Sequence, residues 1–193
     1  MGYTITETIK GIELVFKTEE GVFSPKSIDK GTLFMLSLVD FQEGDKVLDL
    51  GCGYGVVGIL AAKLLGPENV VMIDKDGLAV RLSRENAVLN NVSGIIIQES
   101  DGLKDLNEKD FSVILSNPPY HTDFSIGKEF VEKGFNRLSI GGKLFMVTKR
   151  DLWYRNKLTS IFGGVRVWKA DDYFIFMSIK KDSTYARVKK PKR

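Results

Sequence analysis

Residues 47–55 read Val-Leu-Asp-Leu-Gly-Cys-Gly-Tyr-Gly, and a run with helical spacing begins directly after them at Val56. Gly51 and Gly53 allow a tight backbone turn and a close approach to a ligand, and the N-terminus of the following helix offers N–H groups. The dinucleotide-binding pattern requires a further glycine at position 56, where this chain has valine. The stretch therefore predicts a strand, a ligand-binding turn and a helix.

Outward from this unit, apolar β-rich runs alternate with helical patterns, which predicts a parallel sheet with helices on both faces. The predicted parallel strands are Lys46–Leu50, Val70–Asp74, Ile95–Gln98, Phe111–Leu115 and Leu144–Thr148. The predicted helices are Ser27–Phe41, Val56–Leu65, Leu78–Leu89 (capped by Asp76), Ser125–Leu138 (stopped by Gly141-Gly142) and Leu152–Phe162. The expected fold class is α/β, a Rossmann-like, doubly wound, mostly parallel seven-stranded sheet.

Two hairpins complete this prediction. Residues 3–17 alternate around Lys10-Gly11, which indicates an N-terminal β-hairpin, and Val165–Lys169 and Tyr173–Ile179 flank a tight connection typical of an antiparallel pair. The 193 residues, 43% hydrophobic and 27% charged, fit one globular domain. We expect a single domain over residues 1–182, with residues 1–24 as a hairpin extension and residues 183–193 as a basic tail.

Charge is unevenly distributed along the chain. The net charge is +3, but Lys180–Arg193 alone holds seven basic residues and one acid. A basic tail on a slightly acidic body favours a polyanionic partner such as RNA, and a solvated tail that only aids solubility is an equal alternative. No long apolar segment is present, so we expect no membrane association and a cytoplasmic location.

One cysteine, Cys52, and one histidine, His121, restrict the chemistry further. They cannot supply an internal disulfide or the ligand set of a zincin or a zinc finger, so we expect no metal. A serine hydrolase would need His121 as its base and a Gly-x-Ser-x-Gly nucleophile turn, which this sequence lacks.

Acidic residues follow two further strands at the edge where ligands of such sheets bind. Asp74 lies 23 residues beyond Gly51, the spacing at which a carboxylate accepts both hydroxyls of a ribose, although it could simply cap its strand. Asp101 could accept a hydrogen bond from an exocyclic amine such as that of adenine, or it could be the N-cap of a short helix.

The most specific motif is Ser116–Tyr120, which follows the fourth parallel strand. Pro118 and Pro119 remove two donors and leave rigid carbonyl acceptors, and Asn117 adds a side-chain carbonyl. Two convergent acceptors can bind both hydrogens of a planar amine and aim its lone pair at an electrophile, while Tyr120 can stack on the ring that carries the amine. An ordinary turn is the alternative.

In order and spacing, the glycine turn, the two acids and Asn117–Tyr120 resemble class I S-adenosylmethionine-dependent methyltransferases that modify amines. Gly21–Pro25 upstream and His121 directly after the tetrad resemble the small-methyltransferase branch that includes small-subunit ribosomal RNA guanine-N2 methyltransferases. Two features differ: larger members carry a duplicated N-terminal domain that this chain lacks, and they usually have Phe at the position of Tyr120.

The resemblance implies S-adenosylmethionine as the cofactor, with Gly51, Gly53 and Gly55 around its methionine portion, Asp74 at its ribose and Asp101 at its adenine amine. It implies a catalytic tetrad, Asn117, Pro118, Pro119 and Tyr120, in which the Asn117 side chain and the Pro118 carbonyl hold the substrate amine. Phe23 and Thr32 match a segment that closes over the cofactor. A core aromatic and a helix cap are the structural alternatives for these two, and His121 could contact the substrate or serve only structure.

Ribosomal RNA is the expected partner and guanine N2 the expected target. The alternatives are a protein glutamine amide of the release-factor type, adenine N6, and an RNA-binding module without catalysis. A nicotinamide dehydrogenase is disfavoured by Val56.

Overall fold

Nine β-strands and five α-helices form within residues 1–119 and 124–186, the parts of the chain that the computed structural model describes. In chain order they are β1 (Gly2–Ile9), β2 (Ile12–Glu19), α1 (Lys30–Leu38), β3 (Val47–Leu50), α2 (Val56–Leu65), β4 (Val70–Asp74), α3 (Gly77–Leu89), β5 (Ile96–Glu99), β6 (Phe111–Ser116), α4 (Phe124–Arg137), β7 (Leu138–Thr148), α5 (Leu152–Phe162), β8 (Arg166–Ala170) and β9 (Tyr173–Ile179).

Seven strands form one sheet in the order β5-β4-β3-β6-β7-β9-β8. β3 to β7 pair in parallel, whereas β9 is antiparallel to both β7 and β8. Helices α1, α2 and α3 pack with the hairpin on one face, and α4 and α5 cover the other. The predicted fold class is therefore confirmed. The strand order changes direction between β3 and β6, which is where open α/β sheets form a ligand crevice.

The predicted N-terminal hairpin is also confirmed, and two asparagines attach it to the sheet. β1 and β2 turn at Lys10 and Gly11, both at positive φ. Asn86 of α3 and Asn90 at the C-cap of α3 each exchange two hydrogen bonds with the β2 backbone, at Lys17 and Val15 respectively, over 2.7–3.1 Å. The two side-chain amides thus satisfy backbone N–H and C=O groups along the edge of β2 that would otherwise be unpaired.

Several predicted element boundaries are wrong. The helix predicted over 27–41 is only Lys30–Leu38, because the Asp29 carboxylate caps it by accepting from the N–H of Thr32 at 2.9 Å. The predicted stop at Gly141-Gly142 is also misplaced, because α4 ends at Arg137 and the chain enters β7 at once. Gly141, at φ 87°, lies inside β7, where the pairing with β6 shifts register.

Lys180, the first of the seven basic residues near the C-terminal end, packs within the folded domain. It is buried, donates from Nζ to the Leu138 carbonyl at 2.7 Å and lies over the Phe135 ring, and burial lowers its pKa. Tyr185 packs edge-on against Phe135, and the Ala186 N–H donates to the Ile161 carbonyl. Residues 187–193, which hold the other basic residues apart from Lys181, lie outside the described residues.

Between residues 1 and 186, leaving out 120–123, the structure contains no helix long and apolar enough to cross a membrane.

Candidate functional site

A cavity of about 330 Å³ opens at the carboxyl ends of β3, β4 and β6. Its walls include residues of the glycine turn after β3, Asp74 at the end of β4, Asp101 after β5 and Asn117–Pro119 after β6. The four motifs predicted from sequence therefore meet at one site. The volume is within the range of small-molecule and cofactor pockets, about 300–1,000 Å³.

The turn after β3 is built from three glycines at positive φ: Gly51 at 80°, Gly53 at 55° and Gly55 at 102°. A Cβ at Gly51 or Gly53 would meet no atom within 4 Å, so the backbone of both faces open space. A Cβ at Gly55 would lie 2.9 Å from Ile59 and Met72, so this glycine is required for helix packing. Gly51 and Gly53 line the cavity and leave room beside their backbone, whereas Gly55 is the N-cap of α2 and is not among the cavity-lining residues.

Asp74 both caps its strand and lines the cavity. Its Oδ2 accepts from the Gly53 N–H at 2.8 Å and its Oδ1 accepts from the Asp76 N–H at 3.0 Å. Burial raises the pKa of Asp74, partly opposed by these backbone hydrogen bonds. Each carboxylate oxygen can accept more than one hydrogen bond, so the two roles considered for Asp74 are compatible.

Asp49 is a buried acid of the cavity wall to which the sequence pattern assigned no role of its own. It is 2% exposed within β3, and its Oδ2 accepts from the Gly58 N–H of α2 at 2.9 Å. Burial, together with the nearby negative charge of Asp74, raises the pKa of Asp49 to about 7, although the Gly58 N–H opposes the shift. A cation bound in the cavity would favour the ionised form of Asp49.

Asp101 lies at the cavity rim, where it is exposed and forms an ion pair with Lys104, which lowers its pKa. The N-cap alternative is wrong, because the chain after Asp101 forms turns rather than a helix before β6 begins at Phe111. The neighbouring Ser100 is buried, and its hydroxyl donates to the Gly102 carbonyl.

The start of α1 holds the side chain of Asn117. The residue there that contacts it, Asp29, lies 88 residues before Asn117 in the sequence. Its Nδ2 donates to Asp29 Oδ2 at 2.9 Å and to Thr32 Oγ1 at 2.8 Å. Both amide hydrogens thus have acceptors, which places Oδ1 on the opposite side of the amide. Pro118 and Pro119 also line the cavity, whereas Tyr120 and His121 lie outside the described residues.

Of the two upstream residues, Phe23 is 50% exposed at the cavity and Thr32 is buried. The core-aromatic alternative for Phe23 is therefore wrong. Thr32 lies in the first turn of α1, where its N–H donates to the capping carboxylate of Asp29 and its hydroxyl accepts from Asn117.

The strand order, with an antiparallel last pair and a cavity at the order switch, is that of the Rossmann-like methyltransferase fold. Residues 13–178 match the family model of the methyltransferase small domain, and the chain belongs to this family.

Named relatives and a solved structure are similar to most of the chain. The ribosomal RNA small subunit methyltransferase C of Colwellia psychrerythraea is 32% identical over 171 residues, 86% of this chain and 47% of the relative. The ribosomal RNA large subunit methyltransferase G of Yersinia enterocolitica is 27% identical over 188 residues, 94% of this chain and 48% of the relative. The structure of the T. thermophilus 16S rRNA N2 G1207 methyltransferase, in complex with AdoMet and guanosine, superposes with a TM-score of 0.86 at 27% identity, covering 94% of this chain and 51% of that one. This chain therefore spans about half the length of these relatives.

Proposed function

We propose that this chain is an S-adenosylmethionine-dependent methyltransferase that modifies an exocyclic amine of a nucleobase, guanine N2 of ribosomal RNA. The observation that carries the proposal is the orientation of Asn117 at the cavity. Its two hydrogens are engaged by Asp29 and Thr32, so its oxygen is the atom that can accept from a substrate amine. The relatives named for ribosomal RNA and the solved complex with guanosine support this target.

The cavity residues fit the proposed cofactor. The backbone at Gly51 and Gly53 has room for a ligand against it, and Asp74 supplies carboxylate oxygens beside that turn for ribose hydroxyls. Asp101 at the rim is assigned to the adenine amine, and the acidic wall at Asp49 suits a ligand that carries positive charge.

The cofactor supplies a methyl group made electrophilic by a positively charged sulfur. The protein contributes mainly position: Asn117 Oδ1 and the Pro118 carbonyl accept the two hydrogens of the amine and direct its lone pair along the line of transfer. Tyr120 is assigned to stacking on the base. Transfer from the bound cofactor would join the methyl carbon to the nitrogen, release the sulfur as the neutral thioether of S-adenosylhomocysteine and leave the methylated nitrogen to give up one proton to water. Orientation of this kind can contribute about 7–11 kcal/mol to the barrier reduction.

Incubation with S-adenosylmethionine labelled in its methyl group tests the class of substrate. Unmodified ribosomal RNA and an unmodified release factor are offered together, and the label in each is counted. We expect the label in the RNA. Label in the release factor would establish the glutamine-amide alternative, and binding of both cofactor and RNA without transfer would establish the non-catalytic alternative.

The affinity for S-adenosylmethionine should rise about tenfold between pH 6 and pH 8. Burial raises the pKa of Asp49 to about 7, so below pH 7 the carboxyl is mostly protonated and a cationic ligand must displace that proton. Calorimetry in two buffers of different ionisation enthalpy should detect proton release on binding near pH 7. The Asp49→Asn variant, which cannot titrate, should lose this proton release, and equal pH dependence in both proteins would remove Asp49 from the explanation.

Removing residues 187–193 should reduce the salt dependence of RNA binding without unfolding the domain. This segment carries five basic residues, and each phosphate contact changes the slope of log affinity against log salt by about 0.7 for single strands. Two to four contacts would therefore decrease the slope by about 1–3. This cut keeps Tyr185 and Ala186, which pack on α4 and α5. Fluorescence titration over a range of salt measures the slope, and an unchanged slope would show that the segment aids only solubility.

A further inference from the structure

Within the described residues, Asp29 accepts hydrogen bonds from α1, from the segment after β6 and from β9. One oxygen, Oδ1, accepts from the Tyr173 hydroxyl of β9 at 2.9 Å. The other, Oδ2, accepts from the Thr32 N–H of α1 and from Asn117 Nδ2 after β6, each at 2.9 Å. Burial and the contact with Asp29 raise the pKa of Tyr173 to about 12, so the phenol keeps its proton and acts as a donor.

This arrangement is tightly packed. A Cβ at Gly31 would lie 2.4 Å from the Tyr173 ring, so the absence of a side chain there allows α1 to approach β9. The Lys149 ammonium lies 4.8 Å from the centroid of the same ring. The packing fixes the Tyr173 ring, and the Tyr173 hydroxyl and the Thr32 N–H both hold the Asp29 carboxylate that contacts Asn117.

The geometry points to Asp29 as a positioning residue that makes the site selective for amines by fixing which end of the Asn117 amide faces the substrate. An ionised carboxylate only accepts hydrogen bonds, so the atom of Asn117 that faces it must be Nδ2. If the amide turned over, its oxygen would face the carboxylate and its NH₂ group would face the substrate. A turned amide would repel an amine and attract a carbonyl such as guanine O6. The inference rests on the proposed role of Asn117 in methyl transfer.

A double-mutant cycle tests this inference. Asp29→Ser keeps a good helix N-cap for α1 but is too short to hold Asn117 and Tyr173 as the carboxylate does. We expect single-turnover methyl transfer to ribosomal RNA to decrease about 30- to 100-fold in Asp29→Ser, the size of effect seen when a preorganised contact at a reacting centre is lost. Its affinity for S-adenosylmethionine and its thermal unfolding midpoint should change little, and the loss should be in kcat rather than KM.

The combination with Asn117→Ala gives the decisive result. If Asp29 acts through Asn117, the double variant Asp29→Ser/Asn117→Ala should be no more than about threefold slower than Asn117→Ala alone. Tyr173→Phe should lower the rate about 3- to 10-fold, since it removes the phenol hydroxyl that donates to Asp29 Oδ1. Tyr185→Phe, which removes a phenol hydroxyl outside the cavity lining, is its matched control and should leave the rate unchanged.

If the rate of the double variant decreases by the product of the decreases in the two single variants, Asp29 does not act through Asn117. The positioning role would then be overturned, while Asn117 would remain a catalytic residue. A wild-type rate in Asp29→Ser, with Asn117→Ala slow, would overturn it in the same way. A wild-type rate in Asn117→Ala would instead overturn the proposed function of the motif, and this inference with it.

Discussion

Replacement of Asn117 by alanine should lower single-turnover methyl transfer by about 10²-fold or more while leaving the affinity for S-adenosylmethionine within about threefold of wild type. The variant removes the side-chain acceptor for the substrate amine and both contacts to the start of α1. The remaining acceptor, the Pro118 carbonyl, cannot alone hold both hydrogens of the amine. Rapid-quench kinetics with enzyme in excess over RNA isolate the chemical step, and calorimetry gives the cofactor affinity.

Asn136→Ala is the matched control, since Asn136 is exposed near the end of α4 and does not line the cavity. It should retain the wild-type rate. Wild-type turnover in Asn117→Ala would contradict the role assigned to Asn117–Tyr120, and a large loss of cofactor affinity would move Asn117 to the cofactor site.

Replacement of Asp74 by alanine should weaken S-adenosylmethionine binding by about 1–3 kcal/mol, or about 5- to 150-fold, because the ribose hydroxyls lose a charged acceptor. In the wild-type protein the Gly53 N–H donates to Asp74 Oδ2 at 2.8 Å. The alanine variant loses this hydrogen bond, which loosens the glycine turn beside the ligand. Alanine is a cleaner test than asparagine. Both oxygens of the Asp74 carboxylate accept hydrogen bonds from backbone N–H groups. Asparagine would place an NH₂ donor against one of these N–H donors.

Glu99→Ala is the control for Asp74→Ala. Glu99 pairs with Asp74 across β4 and β5, is exposed and lies outside the cavity lining. Calorimetry should show wild-type affinity for this variant. Unchanged affinity in a folded Asp74→Ala protein would remove Asp74 from the cofactor site and leave it only as a strand cap.

Local signals explain why so much of the fold could be predicted. β4 is buried on both faces and consists of apolar residues up to Asp74, and β3 is apolar except at Asp49. The glycine turn between β3 and α2 is contiguous in sequence. The ends of α4 and β7 could not be predicted in this way. Gly141 is typical of a helix stop, but here it serves a register shift that depends on pairing with β6.

The same division applies to the site: its local motifs could be predicted from the sequence, and the contacts between distant segments could not. Each motif stands at a strand end, and parallel strands bring their carboxyl ends to one edge, so the sequence was sufficient to bring Gly51, Asp74 and Asn117 together. The contact of Asn117 with Asp29 is not a local property, because it depends on how α1 packs against β7 and β9. The raised pKa of Asp49 likewise depends on burial that only the assembled sheet produces.

Mass spectrometry of nucleosides tests the central claim most directly. Ribosomal RNA without modifications is incubated with the protein and S-adenosylmethionine carrying a deuterated methyl group, then digested to nucleosides, with Asn117→Ala as the parallel control. We expect deuterated N2-methylguanosine from the wild-type protein and at most about one hundredth of the initial rate from the variant. Deuterated N6-methyladenosine, a methylated ribose or the absence of any labelled nucleoside would contradict the assignment of guanine N2 as the target of this site.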